Sequence, residues 1–226
     1  MKFLLIGCNG KMGKSVCQIA KEMGDEIVAG IDVLGETTEM PFYLSIDSMK
    51  NEQFDAIIDF SSAKDHCQYI KYAIQKNLPF GLFSTRISAK DEKLISLASK
   101  KIPFLRCANA SLGVNLMYGA LSFFAQRLPS CDCAITEYHH KNKVDRPSGT
   151  AKEIQKILNS KFLVETNCFR VGEEKGFHKV EFFFGDEILT ISHKAKSRDI
   201  FARGALEAMH KLADMPAGNY DIKKLL

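Results

Sequence analysis

A short apolar run that leads directly into three evenly spaced glycines most strongly constrains how this chain can fold. The run Lys2–Gly7 precedes the helical pattern Lys11–Met23, and the glycines lie at their junction. With about five apolar residues, the run is shorter than the roughly 7–15 of a secretory signal, and we predict a buried first strand. A strand that turns through glycines into a helix is typical of a nucleotide-binding α/β domain.

The first half of the chain alternates strand-like and helix-like segments. The predicted strands are Lys2–Gly7, Glu26–Ile31, Phe54–Asp59, Pro79–Phe83 and Pro103–Cys107, and the predicted helices are Lys11–Met23, Lys64–Lys76 and Ala89–Lys101. Strands separated by helices of this length pair in parallel through right-handed crossovers. We therefore predict an α/β fold with a Rossmann-type doubly wound parallel sheet.

The pattern changes after Asn109, and the second half predicts a separate α+β domain. Its predicted elements are helix Ser111–Leu128, strand Cys131–His140, helix Gly149–Asn159, strands His178–Phe184 and Glu187–Ala195, and a last helix Asp199–Ala213 that ends the ordered part. The two late strands are joined through Gly185 and Asp186, which is a hairpin signal, so the sheet should be antiparallel or mixed. Two lobes with a ligand cleft between them follow from this division.

Charge and cysteine content narrow the class of protein. The net charge of +4 suits anionic small molecules, and the absence of a basic tract argues against nucleic acid. No apolar run approaches the roughly 18 residues of a membrane span. The seven cysteines are scattered and include no CxxC pair, which predicts free thiols in a cytoplasmic protein. Cys131 and Cys133 share one face of a predicted strand, but we predict no metal.

The glycine loop and an acidic residue after the second strand predict a dinucleotide site. The loop, Gly7–Gly13, has the spacing G-x-x-G-x-x-G, and its N–H groups could approach a pyrophosphate. Asn9 stands where a second glycine is usual, and asparagine tolerates positive φ. Asp32 follows the second strand, where a carboxylate can accept from a ribose hydroxyl. The alternatives are a plain strand–helix turn and an aspartate that caps a turn.

The residues around Asp32 bear on which nicotinamide cofactor binds. No arginine or lysine directly follows Asp32, which favours NADH over NADPH. Lys11 could still meet a 2′-phosphate. We therefore predict NADH and/or NADPH.

The segment Glu137–Ala151 is the most informative about chemistry. It combines His139 and His140, cationic side chains including Lys143, and the turn Ser148–Thr150 at a predicted helix start. Histidine is suited to acid catalysis near neutral pH, and lysine can donate a proton or hold a carboxylate. Ser148 is a predicted N-cap, and the N–H groups of Gly149 and Thr150 could bind a second carboxylate. Such a site would hold a small dianion and protonate it, as a nicotinamide-dependent reductase requires.

Three other interpretations of this segment stay open. The paired histidines could be packing or surface residues, and SGTA could be only a helix cap. The histidines could also be zinc ligands, although no third ligand is spaced nearby in the sequence.

Over nearly its whole length the chain resembles the dihydrodipicolinate reductase family of the diaminopimelate–lysine pathway. The resemblance is carried by the glycine loop with Met12, Asp59–Ser61, Ala108–Asn115, the segment HHxxKxDxPSGTA from His139, Arg170–Gly172, Gly176, His178, His193–Ala195, Arg198, Phe201–Ala202 and Gly204–Ala205. The HHxxKxDxPSGTA segment is highly specific, whereas the glycine loop is not.

The resemblance implies a reaction, site residues and an assembly. A cyclic imine dicarboxylate would be reduced to tetrahydrodipicolinate, with His139 as acid/base residue and Lys143 as second proton donor. The substrate would be bound by His140, Ser148, Gly149 and Thr150. The cofactor would be bound by Gly7, Cys8, Asn9, Gly10, Lys11, Met12, Asp32, Phe60, Phe83, Ser84, Thr85, Cys107, Ala108, Asn109 and Ala110. The family is usually homotetrameric through its second-lobe sheets, and its last helix returns to the first lobe. The implied domains are 1–108 with 204–226 for the dinucleotide, and 109–203 for substrate and oligomerisation.

Two departures from the family pattern stand out. Phe83-Ser84-Thr85-Arg86 replaces the usual Gly-Thr-Thr-Gly turn, which adds bulk where glycines allow close approach, although Arg86 could gain a phosphate contact. Segment Val33–Ser48 is short compared with longer family members, which predicts a trimmed surface element.

Two other functional hypotheses are a non-catalytic nucleotide-binding regulatory homologue and another dehydrogenase acting on a semialdehyde or sugar. A semialdehyde enzyme would need an activated cysteine at a helix start, where this chain has Ser111 and Ser148.

Overall fold

The chain forms two compact units in a computed structural model that describes residues 1–35, 40–62, 66–84 and 87–225. The first unit comprises Met1–Ala110 with Phe201–Leu226, and the second comprises Ser111–Ile200. In chain order the strands and α-helices are β1 Lys2–Ile6, α1 Lys11–Met23, β2 Glu26–Ile31, β3 Phe42–Tyr43, β4 Ala56–Asp59, α2 Cys67–Lys76, β5 Phe80–Leu82, α3 Ala89–Ala98, β6 Pro103–Arg106, α4 Leu112–Arg127, β7 Asp132–His139, α5 Gly149–Leu158, β8 Leu163–Arg170, β9 Phe177–Phe184, β10 Glu187–Lys194, α6 Asp199–Ala213 and β11 Gly218–Tyr220. Short 3₁₀ helices lie at Ile46–Ser48 and Ile222–Lys224.

The first unit is built on a seven-stranded parallel sheet. Its strand order is β11-β6-β5-β4-β1-β2-β3, and every pairing is parallel. The chain moves outward from β1 in both directions, so the predicted doubly wound Rossmann-type sheet is confirmed. In such sheets ligands bind beyond the carboxyl ends of the strands, near the point where the strand order reverses.

The central strands are apolar throughout because both faces of the sheet are covered. Phe3 and Leu5 of β1 pack with α1 and α6 on one face. Leu4 and Ile6 pack with α2 and α3 on the other face. Successive strand residues point to opposite faces, so one strand contributes to two cores. Helix α6 thus returns to the first unit, as the resemblance implies.

The second unit holds a four-stranded mixed sheet with strand order β10-β9-β7-β8. Strands β7 and β8 are parallel, whereas β9 pairs antiparallel with both β7 and β10. This confirms the predicted α+β character and the hairpin at Gly185–Asp186. Helices α4 and α5 pack on one face through the buried side chains Val114, Leu121, Cys133, Ile135, Ile154, Leu158, Val180 and Phe182.

The prediction that the last helix ends the ordered part was wrong. Strand β11 follows it and pairs with Pro103–Leu105 of β6, and Ile222 and Leu225 are buried. The three residues of β11 have no strand pattern of their own, so the pairing depends on the open edge of β6. Strands β3 and β8 were also missed, and the short segment Val33–Ser48 supplies β3 to the sheet.

Several sequence-based predictions fall outside the described residues. They are the start of the second helix at Lys64, and Thr85 and Arg86 of the altered turn. Among the described residues, no helix is both long and apolar enough to cross a bilayer.

Gly81 in β5 makes room for the ring of Phe83. A Cβ at Gly81 would lie 2.4 Å from Met209 Sδ and 2.7 Å from the Phe83 ring. We expect Gly81→Ala to lower the free energy of unfolding by about 1–3 kcal/mol through overpacking, measured by urea denaturation. Gly119→Ala in α4 is the matched control, because no atom lies within 4 Å of its added Cβ. The control should gain about 0.5–1 kcal/mol of helix stability, and similar losses in both variants would contradict the packing argument.

Candidate active site

The glycine loop is held by close backbone packing at the carboxyl end of β1. Gly7 has φ +83°, and a Cβ there would lie 2.8 Å from Ser61 Cα; a Cβ at Gly13 would lie 2.3 Å from the Gly7 carbonyl oxygen. Gly10 is the N-cap of α1 and brings no capping side chain, and the first turn contains no acidic residue. The helix N-terminus therefore presents N–H groups and positive dipole to an anion, and these residues fit a pyrophosphate.

The role expected for Asn9 was wrong. Asn77 is the one non-glycine with positive φ in the described parts of the chain, so Asn9 does not take the left-handed conformation that its place in the motif suggested. Gly7 makes that turn instead. Asn9 links the loop to the end of β2: its N–H donates to Asp32 Oδ2 at 3.0 Å, and its Nδ2 donates to the Leu34 carbonyl at 2.6 Å.

Asp32 lies directly against the glycine loop. Besides the bond from Asn9, its Oδ1 accepts from the Leu34 N–H at 3.2 Å. The carboxylate therefore caps the turn after β2, which was the alternative interpretation. Its position beside the loop also suits a ribose contact.

The ring of Phe83 packs inward. It is 7% exposed and stacks on Phe60 with centroids 4.8 Å apart and planes 14° from parallel. Ser84 is buried beside it, while Thr85 and Arg86 lie outside the described residues. The Phe83 ring thus packs in the core around Gly81.

The remaining cofactor candidates follow β6, at the same edge of the sheet as the glycine loop. They are Cys107, Ala108, Asn109 and Ala110. Burial raises the pKa of Cys107 to about 12 and that of Cys8 to about 11. Both thiols stay protonated at neutral pH, which argues against nucleophilic thiol chemistry at this edge.

In the second unit, the strand period places Glu137 and His139 on one face of β7. Both are buried, on the side covered by α4 and α5, because alternate strand residues share a face. His140 is half-buried and follows the strand. The structure thus brings His139, Glu137 and the start of α5 together, while His140 lies beyond the end of β7.

Glu137 is the centre of the buried polar network. Its Oε1 accepts from the Ser148 N–H at 3.1 Å and from Arg170 Nη2 at 2.8 Å. Its Oε2 lies 3.5 Å from His139 Nδ1 and 3.5 Å from His178 Nε2. Burial alone would raise the pKa of Glu137, but hydrogen bonds from His178, Ser148 and Arg170 hold it well below its usual range. The carboxylate is therefore ionised.

His139 is a neutral imidazole at neutral pH in this structure. Burial lowers its pKa to about 4, and the neighbouring His178 adds to the effect while Glu137 opposes it. The sequence argument had used the ordinary histidine pKa. A protonated His139 therefore needs additional negative charge, such as a dianionic substrate would bring.

The loop after β7 positions the second cation and the turn. Lys143 Nζ forms an ion pair with Asp145 at 2.7 Å. Ser148 is the N-cap of α5 and accepts from the Ala151 N–H at 3.2 Å, which confirms the predicted cap. Gly149 and Thr150 form the first turn of α5, so their N–H groups suit a carboxylate.

Sequence reasoning gave no role to Glu137, Arg170 or His178. Arg170 and His178 come from β8 and β9, and the signal that could have found them is their place in the late family motif.

Ligand atoms of Glu137, His139 and His178 lie within 4.8 Å of one another, so the argument that zinc lacks a third ligand was wrong. Arg170 already neutralises Glu137, however, and a divalent cation there would meet that positive charge. The arrangement fits an acid–base network better than a metal centre.

The lowered pKa of His139 predicts acid-sensitive stability. The unfolded chain takes up this proton near pH 6.5 and the folded protein only near pH 4, so the free energy of unfolding falls as pH drops between these values. The loss from this group is at most about 3 kcal/mol. Urea denaturation at pH 7 and pH 4.5 measures it. His139→Gln should flatten the dependence in part, since the lowered pKa of His193 acts in the same direction; an unchanged slope would contradict the assignment.

Comparison with known proteins gives a consistent result for both halves of the chain. A family profile described as dihydrodipicolinate reductase, N-terminus, matches residues 1–110, and one described as dihydrodipicolinate reductase, C-terminus, matches residues 113–226. A 4-hydroxy-tetrahydrodipicolinate reductase from Caldanaerobacter subterraneus subsp. tengcongensis is 34% identical over 100% of this chain and 98% of its own length. One from Clostridium perfringens is 36% identical over 100% of this chain and 98% of its own length.

Solved structures agree on the fold. A dipicolinate-bound dihydrodipicolinate reductase from Paenisporosarcina sp. TG-14 superposes with a TM-score of 0.83 at 17% identity, over 100% of this chain and 99% of that one. An amine dehydrogenase from Mycobacterium smegmatis has a TM-score of 0.68 at 9% identity, over 100% of this chain and 96% of that one. At these identities the likeness concerns the fold alone.

Proposed function

The chain belongs to the dihydrodipicolinate reductase family, and we propose that it reduces 4-hydroxy-tetrahydrodipicolinate to tetrahydrodipicolinate in the diaminopimelate route to lysine. The observation that carries the proposal is the second-unit network, in which a buried imidazole and a helix N-terminus share one ionised carboxylate. A site of this kind can bind a carboxylate and exchange a proton within a few ångströms.

We infer that the first unit binds the nicotinamide cofactor through the carboxyl-end loops of its sheet. The N–H groups of Gly10–Met12 at the start of α1 would bind the pyrophosphate, and Asp32 would accept from the adenosine ribose. The other residues that would line this site are Gly7, Cys8, Asn9, Phe60, Phe83, Ser84, Thr85 and Cys107–Ala110. When bound, the reduced nicotinamide supplies hydride. Asp32 favours NADH, and Lys11 leaves use of NADPH open.

In the second unit, His139 supplies the proton that the reaction needs. Loss of water from the hydroxylated ring adds a C=C bond conjugated with the ring C=N; hydride adds to a carbon of this conjugated system, and a proton balances the negative charge that develops on the nitrogen. A positioned acid removes the cost of negative charge on that nitrogen. Substrate carboxylates next to His139 raise its pKa and so promote the protonated form. Lys143 stabilises the charge and is the second donor.

The turn that begins α5 binds the substrate. Gly149 and Thr150 offer N–H groups to one carboxylate, with the hydroxyls of Ser148 and Thr150 at the same turn, and His140 contacts the ring or the second carboxylate. Because α5 contributes its positive dipole end, the same turn also selects for a dianionic substrate.

We further propose that the protein is a cytoplasmic homotetramer assembled through the second-unit sheet. The face opposite α4 and α5 exposes the apolar side chains Leu163, Phe169, Phe183 and Ile188. A second copy of the same sheet would cover these side chains, as expected because exposed apolar patches commonly mark protein–protein contacts. The seven free cysteines suit a reducing compartment.

Asp32→Ala should weaken NADH more than NADPH. Loss of a hydrogen bond to a charged acceptor costs about 1.5–3 kcal/mol, or about 10- to 100-fold in KM for NADH. Because Asp32 also accepts from the Asn9 and Leu34 N–H groups, general damage to the loop would affect both cofactors. The ratio of the two KM values therefore isolates the ribose contact. Asp214→Ala, an exposed change in the same unit, is the control, and equal losses for both cofactors would remove Asp32 from ribose recognition.

The decisive test supplies the substrate in place. Purified protein is mixed with dihydrodipicolinate synthase, pyruvate and aspartate semialdehyde, and nicotinamide absorbance is followed with NADH and NADPH separately. Synthase-dependent oxidation of either cofactor establishes the reaction, and the two kcat/KM values rank the cofactors. Intact cofactor binding without turnover would instead favour the non-catalytic regulatory homologue and direct attention to the turn 83–86.

A further inference from the structure

The two carboxylate oxygens of Glu137 contact different groups. Oε1 is fixed by the Ser148 N–H and by Arg170 Nη2, at 3.1 and 2.8 Å. Oε2 faces the two imidazoles, at 3.5 Å from His139 Nδ1 and 3.5 Å from His178 Nε2. Arg170 also donates to the Asp145 carbonyl, which ties the same pair to the loop that carries Lys143.

We propose that Glu137 is a positioning residue for the reduction: it selects the tautomer of His139 that carries the proton on Nδ1 and leaves Nε2 to exchange a proton with substrate. The inference rests on the proposed function and extends it to a residue that touches neither ligand. Through Oε1 the same carboxylate holds the substrate-binding turn, so the proton donor and the anion site are fixed relative to each other.

The geometry distinguishes the two nitrogens of His139. Nδ1 is buried, lies 3.5 Å from Glu137 Oε2, and has no other hydrogen-bond partner among the described residues. A carboxylate can only accept, so it favours the hydrogen on Nδ1. This contact is long for a hydrogen bond, and such contacts in ligand-free sites commonly tighten when substrate binds.

Nε2 lies on the other side of the ring, beside a glycine. A Cβ at Gly176 would lie 3.3 Å from His139 Nε2, and Gly176 has φ +145°, a conformation that side chains rarely adopt. Because Gly176 has no side chain, no Cβ crowds the Nε2 edge at this point. The Gly176 backbone thus lies beside Nε2 of the His139 ring, and the Glu137 carboxylate lies beside Nδ1.

Charge balance gives Glu137 a second effect on His139. Arg170 neutralises the Glu137 carboxylate, so a further proton gives the network a net positive charge. A dianionic substrate would balance that charge. Burial disfavours protonation of His139 most; the charges of His178, Lys143 and Arg170 act in the same direction, while Glu137 favours it. Removing the carboxylate charge therefore removes a protein group that promotes the imidazolium.

The test compares Glu137→Gln with the wild type by steady-state kinetics from pH 5.5 to 9. We expect kcat at neutral pH to fall about 10- to 100-fold, the loss typical of removing a carboxylate that orients a functional histidine. The alkaline limb of the kcat profile should move to lower pH by about 1–3 units. The substrate KM should change less than kcat, because glutamine keeps an oxygen for the Ser148 N–H. Glu187→Gln, an exposed change on β10, should leave the rate and profile unchanged.

A second measurement is independent of whether the variant folds. Nitrogen-15 shifts of His139 in the labelled wild-type protein at pH 7 report its tautomer, and we expect the proton on Nδ1. A proton on Nε2, or a Glu137→Gln profile that overlays that of an active wild type, would overturn the proposal. An inactive wild type with the Nδ1 tautomer would count against the reaction and leave the positioning role of Glu137 standing.

Discussion

Replacing His139 by glutamine should lower kcat by about 10²- to 10⁴-fold, the usual contribution of a general acid. Glutamine has nearly the length of histidine and can donate a hydrogen bond, but it cannot transfer a proton at neutral pH. The residue lies in the second unit and is 8% exposed. The glycine loop and Asp32 belong to the first unit, so the affinity for NADH and NADPH should change little. Single-turnover oxidation and cofactor titration measure the two effects separately.

The matched control is His210→Gln in α6. His210 lies 2.8 Å from Asp25 in the first unit, with its side chain 40% exposed. We expect near-normal kcat in this variant, because His210 lies in the first unit and is paired with Asp25. Near-normal turnover in His139→Gln would remove His139 from the mechanism and assign proton donation to Lys143.

Replacing Arg170 by methionine should lower the free energy of unfolding by about 3–5 kcal/mol, the cost of leaving a buried charge without its partner. The side chains of Arg170 and Glu137 are 7% and 0% exposed. Methionine fills part of the volume but leaves the ionised carboxylate without a cationic partner, next to the Ser148 N–H, the Cys168 thiol and two imidazoles. Urea denaturation at pH 7 measures the loss.

Two variants test this explanation. Arg203→Met breaks a 2.8 Å ion pair with Glu22 whose side chains are both 46% exposed, and it should cost about 0–1 kcal/mol. The double variant Glu137→Gln with Arg170→Met should recover part of the loss, because the unpaired charge is gone. Equal losses for Arg170→Met and Arg203→Met would show that burial does not decide the cost.

The parts of the fold that were predicted correctly have local causes. The helix Lys11–Met23 and the strand Glu26–Ile31 match the structure to the residue, because apolar periodicity and glycine punctuation act over a few neighbours. Strand β11 was missed because Gly218–Tyr220 has no pattern of its own and exists by pairing with β6. Asn9 was misjudged for a similar reason: its partners, Asp32 and Leu34, are more than 20 residues away.

The candidate site shows the same division between local and distant causes. The histidine pair, the lysine and the N-cap serine occupy one continuous segment, so their residue types and spacing suffice to predict proton transfer and anion binding. The family resemblance is likewise a property of the linear motif. The pKa of His139 is different, because desolvation and the charges of His178, Glu137, Lys143 and Arg170 set it, and His178 and Arg170 come from other strands. The linear sequence therefore determines which chemical groups are available and which reaction they suit, whereas the packing of β7, β8 and β9 determines their protonation and mutual orientation, because electrostatic interactions depend on distance and burial in space.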